Sequence, residues 1–454
     1  MTTFRRTTRD LLALATPVVT VQVGLMTMGV VDTAMVGRVS PADLAAVALG
    51  SLYFFMVSIF GVGVLMALDP VVAQGVGAKD DVAVARGVQR GLLVGVGLTL
   101  WTSLLLLPAR PLLALLRQPP DVVPIAADYA HALIPGMLPF FVFVVFRQSL
   151  QAMGRVAPMV IAIVAANIVN AFFNWVLVFG HLGFPALGAV GSGWATSLSR
   201  WLMTLGLLAA AWRLLLPVVR PLHREAAAWT PLARMLQIGV PIGLQHQLEF
   251  GAFAVTALLM GTLGTIQMAA HQVAINLASL TFMVPLGVGS AAAVLVGQAV
   301  GREDAGDARR GALAALLTGI AFMAASAIVM RAIPDALAAI YTRDVPVLTL
   351  AATLIPIAGL FQVFDGTQVV AMGALRGIGD TRVPMLISLL GFWVIGLPVS
   401  VYLGFWAGAG PIGIWWGLVV GLAAVALLLV LRMQRRFRAR LDRLRIEDAE
   451  PATS

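Results

Sequence analysis

Three carboxylates, Glu249, Asp365 and Asp32, sit inside long apolar stretches of this chain. An acid surrounded by hydrocarbon is costly unless it faces a polar cavity or a partner, so a functional role in cation binding is the first hypothesis for each. Glu249 lies in Gly239 to Gly261, GVPIGLQHQLEFGAFAVTALLMG. From Met235 to Met260 a helix would run about 39 Å at about 1.5 Å per residue, enough to cross a bilayer with tilt, and Glu249 would fall near its middle. Gln245 and His246, one turn earlier, are candidate partners, in which case the acid is merely structural. Asp365 lies in Phe361-Gln-Val-Phe-Asp-Gly-Thr-Gln368, where Phe361, Asp365, Gln368 and Met372 share one helical face. Whether the two acids meet is left open by the sequence. Asp32 sits near the end of the first apolar run, and Asn167, Asn170 and Asn174 recur at i, i+3 and i+7 as one amide stripe. That stripe reads either as glue between helices or as part of a polar cavity with Asp32. Arg200 is the lone cation deep in an apolar run; a buried ion pair is its expected use, with no partner assignable.

These residues have to be held by membrane-spanning helices. With 60% hydrophobic residues, 11% charged and a mean hydropathy of +0.95, a soluble globule with a polar surface is excluded. The chain reads as an all-α polytopic membrane protein. Its formal charge of +9 sits almost wholly in short segments between apolar runs, which is a topology signal and not a nucleic-acid footprint. The absence of cysteine excludes disulfides, Fe–S ligation and thiol catalysis. Twelve transmembrane helices are predicted, near 11–36, 44–72, 88–107, 123–148, 157–179, 188–216, 235–260, 270–297, 311–333, 347–373, 383–407 and 411–431. They divide the chain into a lead (1–10), an N-terminal six-helix lobe (11–219), a connector (220–234), a C-terminal six-helix lobe (235–431) and a basic tail (432–454).

Arg5 and Arg6 resemble a twin-arginine signal, but the run that follows is too long for a signal core and no small-residue cleavage site closes it. It is expected to be retained as the first helix. Of the 30 Lys and Arg, 24 fall in the lead, in the tail, or in the connectors after even-numbered spans and the span ends that flank them, which places both termini in the cytoplasm of a multi-pass inner-membrane protein. The tail is expected to lie on the anionic inner leaflet and to fray into a disordered end. The expected partners are the lipid bilayer and small molecules, with the chain a monomer.

Sliding the sequence over itself by 224 residues aligns Pro17 with Pro241, Gly37 with Gly261, Gln74 with Gln298 and Arg86-Gly87 with Arg310-Gly311; at 225, Gly154 meets Gly379 and Gly188 meets Gly413. The chain is therefore read as two six-helix repeats of the same orientation. Pro17 and Pro241 are matched hinge candidates, and Gly413, Gly417 and Gly421 form a small-residue ridge for close helix contact. The acids break the repeat: Asp32 aligns with Thr256, Glu249 with Leu25, and Asp365 falls near Phe140. They belong to sites and not to the shared scaffold.

Several short strings follow one another along the chain: Val31-Asp-Thr-Ala-Met-Val-Gly37, Gln74-Gly-Val-Gly-Ala78, Ala270-His-Gln-Val-Ala-Ile-Asn276, Asp365-Gly-Thr-Gln368, Gly373-Ala-Leu-Arg-Gly377 and Asp380-Thr381. In that order and twelve-helix setting, nearly the whole chain resembles the multidrug and toxic compound extrusion (MATE) transporters. Having both Glu249 and Asp365 is similar to the NorM-type branch, whereas Asn174 stands where the DinF-type branch tends to have an acid. The resemblance implies a secondary exporter, not an enzyme and without a cofactor, that exchanges a cation gradient for bulky, often cationic and amphipathic compounds. Two lobes would enclose a cavity open alternately to each side. A carboxylate that takes an organic cation, a proton or Na⁺ in turn would couple the fluxes. Glu249, Asp365 and Asp32 are the ion-coupling or substrate candidates. Gln245, His246, Phe361, Gln368, Met372, Asn167, Asn170 and Asn174 are cavity-lining candidates.

A lipid-linked saccharide or lipid flippase of the same superfamily is the alternative, though it would want a more cationic cavity than Arg200 and Arg147 offer. A membrane-embedded enzyme finds no H-E-x-x-H pair or G-x-S-x-G elbow to rest on. Sodium-coupled NorM-type relatives commonly carry a Tyr one turn before the span-10 acid, where this chain has Phe361. An alkali cation needs several oxygens, and near Asp365 only Gln362, Thr367 and Gln368 offer them, the last alone on its face. A proton needs none. H⁺ is thus the expected coupling ion, with Na⁺ at Glu249 and Asp365 as the alternative. Asp10→Asn and Asp43→Asn are expected to be nearly silent.

Overall fold

The computed structural model describes residues 2–446, and among them no strand forms. Apolar runs of this length must satisfy their backbone internally, which leaves the helix. Twelve long helices follow one another: α1 (Thr2–Val36), α2 (Pro41–Gly77), α3 (Asp81–Leu106), α4 (Val122–Ala152), α5 (Ala157–Phe179), α6 (Gly188–Val219), α7 (Trp229–Leu263), α8 (Thr265–Gly301), α9 (Ala305–Ala332), α10 (Val345–Gly377), α11 (Arg382–Trp406) and α12 (Gly410–Arg438). Among the described residues, eleven are long and apolar enough to cross a membrane. The twelfth is α7, diluted by Gln245-His-Gln-Leu-Glu249 at its centre. The tail is helical to Arg438, and the end expected to fray, 447–454, lies outside the described residues.

Duplication is visible in how the helices begin and end. Asp80 caps α3 by accepting from Ala83 N at 2.9 Å, and its repeat mate Asp304 caps α9 by accepting from Asp307 N at 2.7 Å. Each follows a residue of positive φ, Lys79 at 58° and Glu303 at 60°. Short helices, Ala109–Leu115 and Pro334–Ala339, fill matching connectors. Gln89 donates to the carbonyls of Val218 (3.1 Å) and Pro221 (2.9 Å) at the end of α6, while Arg309 donates to that of Phe437 at the end of α12. Asp43 is not the idle surface acid that the sequence suggests. Its carboxylate accepts from the Ser40 hydroxyl at 2.6 Å and from Ala189 N at 2.8 Å, tying the start of α2 to that of α6.

The helices gather into two compact units. One holds Thr20–Gly243; the other holds the residues up to Val19 together with Leu244–Arg445. In the N-terminal unit α5 packs on α6, and α4 packs on α2, α3 and α6. Gly63 of α2 lies against the Cα of Gly243, and Gly239 against the Val64 carbonyl, so the opening part of α7 meets α2 at backbone distance. In the C-terminal unit α10 is the central helix, packed by α8, α9 and α12. Along α12 the ridge Gly413, Gly417 and Gly421 rests on the backbones of Leu403, Ser400 and Gly396 in α11. There α11 widens into π-type turns at Leu389–Gly396 and Tyr402–Trp406.

Candidate functional site

In the C-terminal unit α7 and α10 bring their acids to a single amide. Gln368 Nε2 donates to Glu249 Oε1 at 2.7 Å and to Asp365 Oδ1 at 3.1 Å. Asp365 and Gln368 are one turn apart on α10, so the shared helical face read from the sequence aims both at α7. Asp365 and Gln368 are buried, and Gln368 Oε1 is enclosed without a hydrogen bond. The partner of Glu249 is thus not found one turn earlier on its own helix. Gln245 donates instead to the Met372 sulfur, and His246 Nδ1 is buried without a partner. Phe361 is 1% exposed and stands edge-on to Phe253 and Trp415, with ring centroids 6.0 and 5.8 Å away, so it forms a packed wall beneath the acid. Trp393, from the wide turn of α11, donates to the Leu248 carbonyl at 3.0 Å, beside Glu249.

In the N-terminal unit Asp32 gathers a second polar group. Its Oδ1 accepts from Asn174 Nδ2 at 2.7 Å and its Oδ2 from the Thr196 hydroxyl at 2.8 Å. Asn170 faces the same acid without closing a hydrogen bond. Asn167 stands apart, donating to the Gly24 carbonyl at 3.0 Å and to Ile163 at 2.8 Å. The amide stripe therefore splits, with Asn167 joining helices and Asn174 joining Asp32. Arg200 forms no ion pair among the described residues, contrary to expectation. Its guanidinium carbon sits 4.3 Å from the Phe54 ring centroid and 4.9 Å from that of Phe140.

Sequence reasoning passed over three residues of this unit. Thr196 and Tyr129, the latter 3.0 Å from the Ser51 hydroxyl, carry no signal of their own, since neutral hydroxyls are ordinary in membrane helices. Asp69 did carry one, as an acid in an apolar run, but the predicted span ended three residues later and made it look peripheral. The helix continues to Gly77, and Asp69 is fully buried, its charge acting on Arg147. Arg147 in turn donates to Gln22 Oε1 at 2.9 Å.

The MatE family model matches residues 17–176 and 241–402, two segments that begin at the repeat-related prolines. A multidrug resistance protein MdtK from Edwardsiella ictaluri is 36% identical over 444 residues, covering 96% of each chain. A probable multidrug resistance protein NorM from Mesorhizobium japonicum is 37% identical over 449 residues, covering 96% of this chain and 95% of that one. Multidrug resistance protein PmpM from Pseudomonas aeruginosa is 36% identical, covering 98% of this chain and 95% of that one. Among solved structures, the eukaryotic MATE transporter AtDTX14 is similar with a TM-score of 0.87 at 21% identity, over 96% of this chain and 99% of that one. Matched in both halves and along nearly its whole length, the chain belongs to the MATE family of membrane transporters, beside its NorM-like members, and is not an enzyme.

Proposed function

We propose that this protein is a secondary active multidrug exporter of the cell inner membrane, antiporting bulky cationic or amphipathic compounds against protons by alternating access. Both termini are cytoplasmic in this reading, and Glu249 and Asp365 are the coupling pair. The observation that carries it is the single Gln368 amide between the buried Asp365 and the half-buried Glu249. One neutral amide cannot compensate two carboxylates, and among the described residues no cationic side chain bonds to either. A mobile positive charge has to do so, either the coupling ion or the organic cation, and occupancy by one disfavours the other. The names of the relatives as multidrug resistance proteins support the cargo class.

The surroundings of Asp365 favour a proton over Na⁺. Gln362 Oε1 accepts from the Ser326 hydroxyl at 3.5 Å while its amide nitrogen donates to the Ala278 carbonyl at 2.7 Å, and the Thr367 hydroxyl donates to the Val363 carbonyl at 2.7 Å. Of the neutral side-chain oxygens named in the sequence, Gln368 Oε1 alone remains unengaged at the pair. That is a thin shell for an alkali cation. Pro17 and Pro241, each two residues before a boundary between the compact units, fit the role of hinges. In proteoliposomes, a cationic dye should be exported under an imposed pH gradient, with the flux collapsing on addition of a protonophore. Efflux driven by Na⁺ alone and insensitive to the protonophore would overturn the ion assignment, and absence of dye counterflow would overturn the exporter.

A further inference from the structure

Arg200 is a buried cation that the coupling pair does not use. It stands about 18 Å along α6 from Gly188, at about 1.5 Å per residue, which sets it near the middle of a bilayer. Around it α6 is fastened to α4. The Ser197 and Thr204 hydroxyls donate to the carbonyls of Ala132 at 2.6 Å and Pro139 at 2.7 Å, and Trp201 Nε1 donates to that of Pro135 at 3.0 Å. Pro139 has no N–H to offer the Pro135 carbonyl, so Trp201 fills a gap in the ladder of α4 and holds the two helices together. Between these pins the Arg200 guanidinium is covered by Phe54 and Phe140, its carbon 4.3 and 4.9 Å from their ring centroids. Aromatic faces attract the flat head but accept none of its in-plane N–H groups. Nη1 is enclosed without a hydrogen bond, and among the described residues no acceptor bonds to any nitrogen of Arg200. Asp32, the acid of this unit, spends its oxygens on Asn174 and Thr196.

A buried charge without an acceptor is costly, and the repeat shows that the scaffold does not ask for it. The offset that aligns Gly188 with Gly413 sets Val425 opposite Arg200, so packing at this position is served by an aliphatic side chain. The cation therefore belongs to a site. What remains unserved on its head is a planar fork of N–H donors, whose best complement is a carboxylate held through two parallel hydrogen bonds. Lipid phosphates lie at the bilayer surface, about 15 Å away, so the carboxylate has to arrive on a molecule that enters the protein. Phe140, half-buried beside the guanidinium, offers the apolar body of such a molecule a contact. We propose that Arg200 is a carboxylate-binding subsite for cargo, which admits amphipathic zwitterions as well as plain organic cations. The proposal rests on the exporter reading above and widens its substrate class. It assigns no coupling ion to Arg200 and takes none from Asp32.

Rhodamine B, a cationic dye with a free carboxylate, and its ethyl ester, the same dye without one, separate this subsite from the rest of the transporter. Equilibrium binding of each to the full-length protein in lipid nanodiscs, read by fluorescence anisotropy, gives an acid-to-ester affinity ratio. Arg200→Met should lower that ratio at least about tenfold, the worth of a charge-assisted hydrogen bond. Arg200→Lys keeps the charge but not the fork and should lower it about threefold, which decides the matter if Arg200→Met does not insert. A wild type that does not bind the acid overturns the proposal. So does a ratio that the variants leave unchanged, since equal weakening of both dyes is the mark of a purely structural arginine. Failure of the exporter reading shows elsewhere, as the absence of counterflow for either dye in wild-type proteoliposomes.

Discussion

At the scale of single residues, the cost of a buried charge is what made the acids legible. That cost belongs to the residue and its depth, so Glu249 and Asp365 could be singled out before any contact was known. Their shared partner could not, because it depends on the rotation of α7 against α10. Gln368, on a face already marked, turned out to serve both acids, and the nearer Gln245 is spent on Met372. Arg200 shows the same limit, since an unpaired cation advertises its need but not that aromatic faces meet it. Glu249→Gln and Asp365→Asn remove the charges while keeping the shapes. Each should insert at wild-type level yet lose ion-driven dye export at least about tenfold, which corresponds to about 1.4 kcal/mol of transport barrier. Asp10→Asn should export normally, as the ion pair it makes with Arg6, at 4.0 Å, is exposed. Dye efflux at matched expression checks all three, and full export by both carboxylate variants would remove the coupling pair from the mechanism.

At the scale of the element, apolar length and polar punctuation located the helices, and repeat-matched Pro and Gly located the contacts. The ridge on α12 is the clearest case: a Cβ added at Gly417 would run into the Ser400 backbone. Gly417→Val should therefore destabilise the C-terminal unit by about 1–3 kcal/mol, read as a lowered melting temperature in detergent. A melting temperature equal to wild type would show that α11 can yield. The wide turns of α11 had no such signature. Leu389–Gly396 is a plain apolar run, and its extra width becomes apparent only where Gly391 and Gly396 meet α12. The helical continuation of α2 past Val72 was hidden as well, because Gln74 and Lys79 look like a connector until packing buries the former.

At the scale of the molecule, twelve helices in two copies could be read because an internal repeat needs no knowledge of contacts, only of offset. The family model's two matched segments start at that same offset. Orientation rests on loop charge alone, and it predicts that reporters fused within 220–228 are active only in the cytoplasm; activity on the outer side would reverse the topology. The partition of the chain into units was not legible, since hydropathy cuts at connectors whereas packing cuts within α1 and α7. This has a consequence for biosynthesis. When the ribosome has released the first six spans, the unit they mostly form still lacks the stretch from Trp229 to Gly243, and the first nineteen residues wait for a unit whose other members are not yet made. The first half cannot finish folding as it leaves the translocon. The opening part of α1 reaches its own unit only when the second half has been made, which ties the maturation of each half to the synthesis of the other.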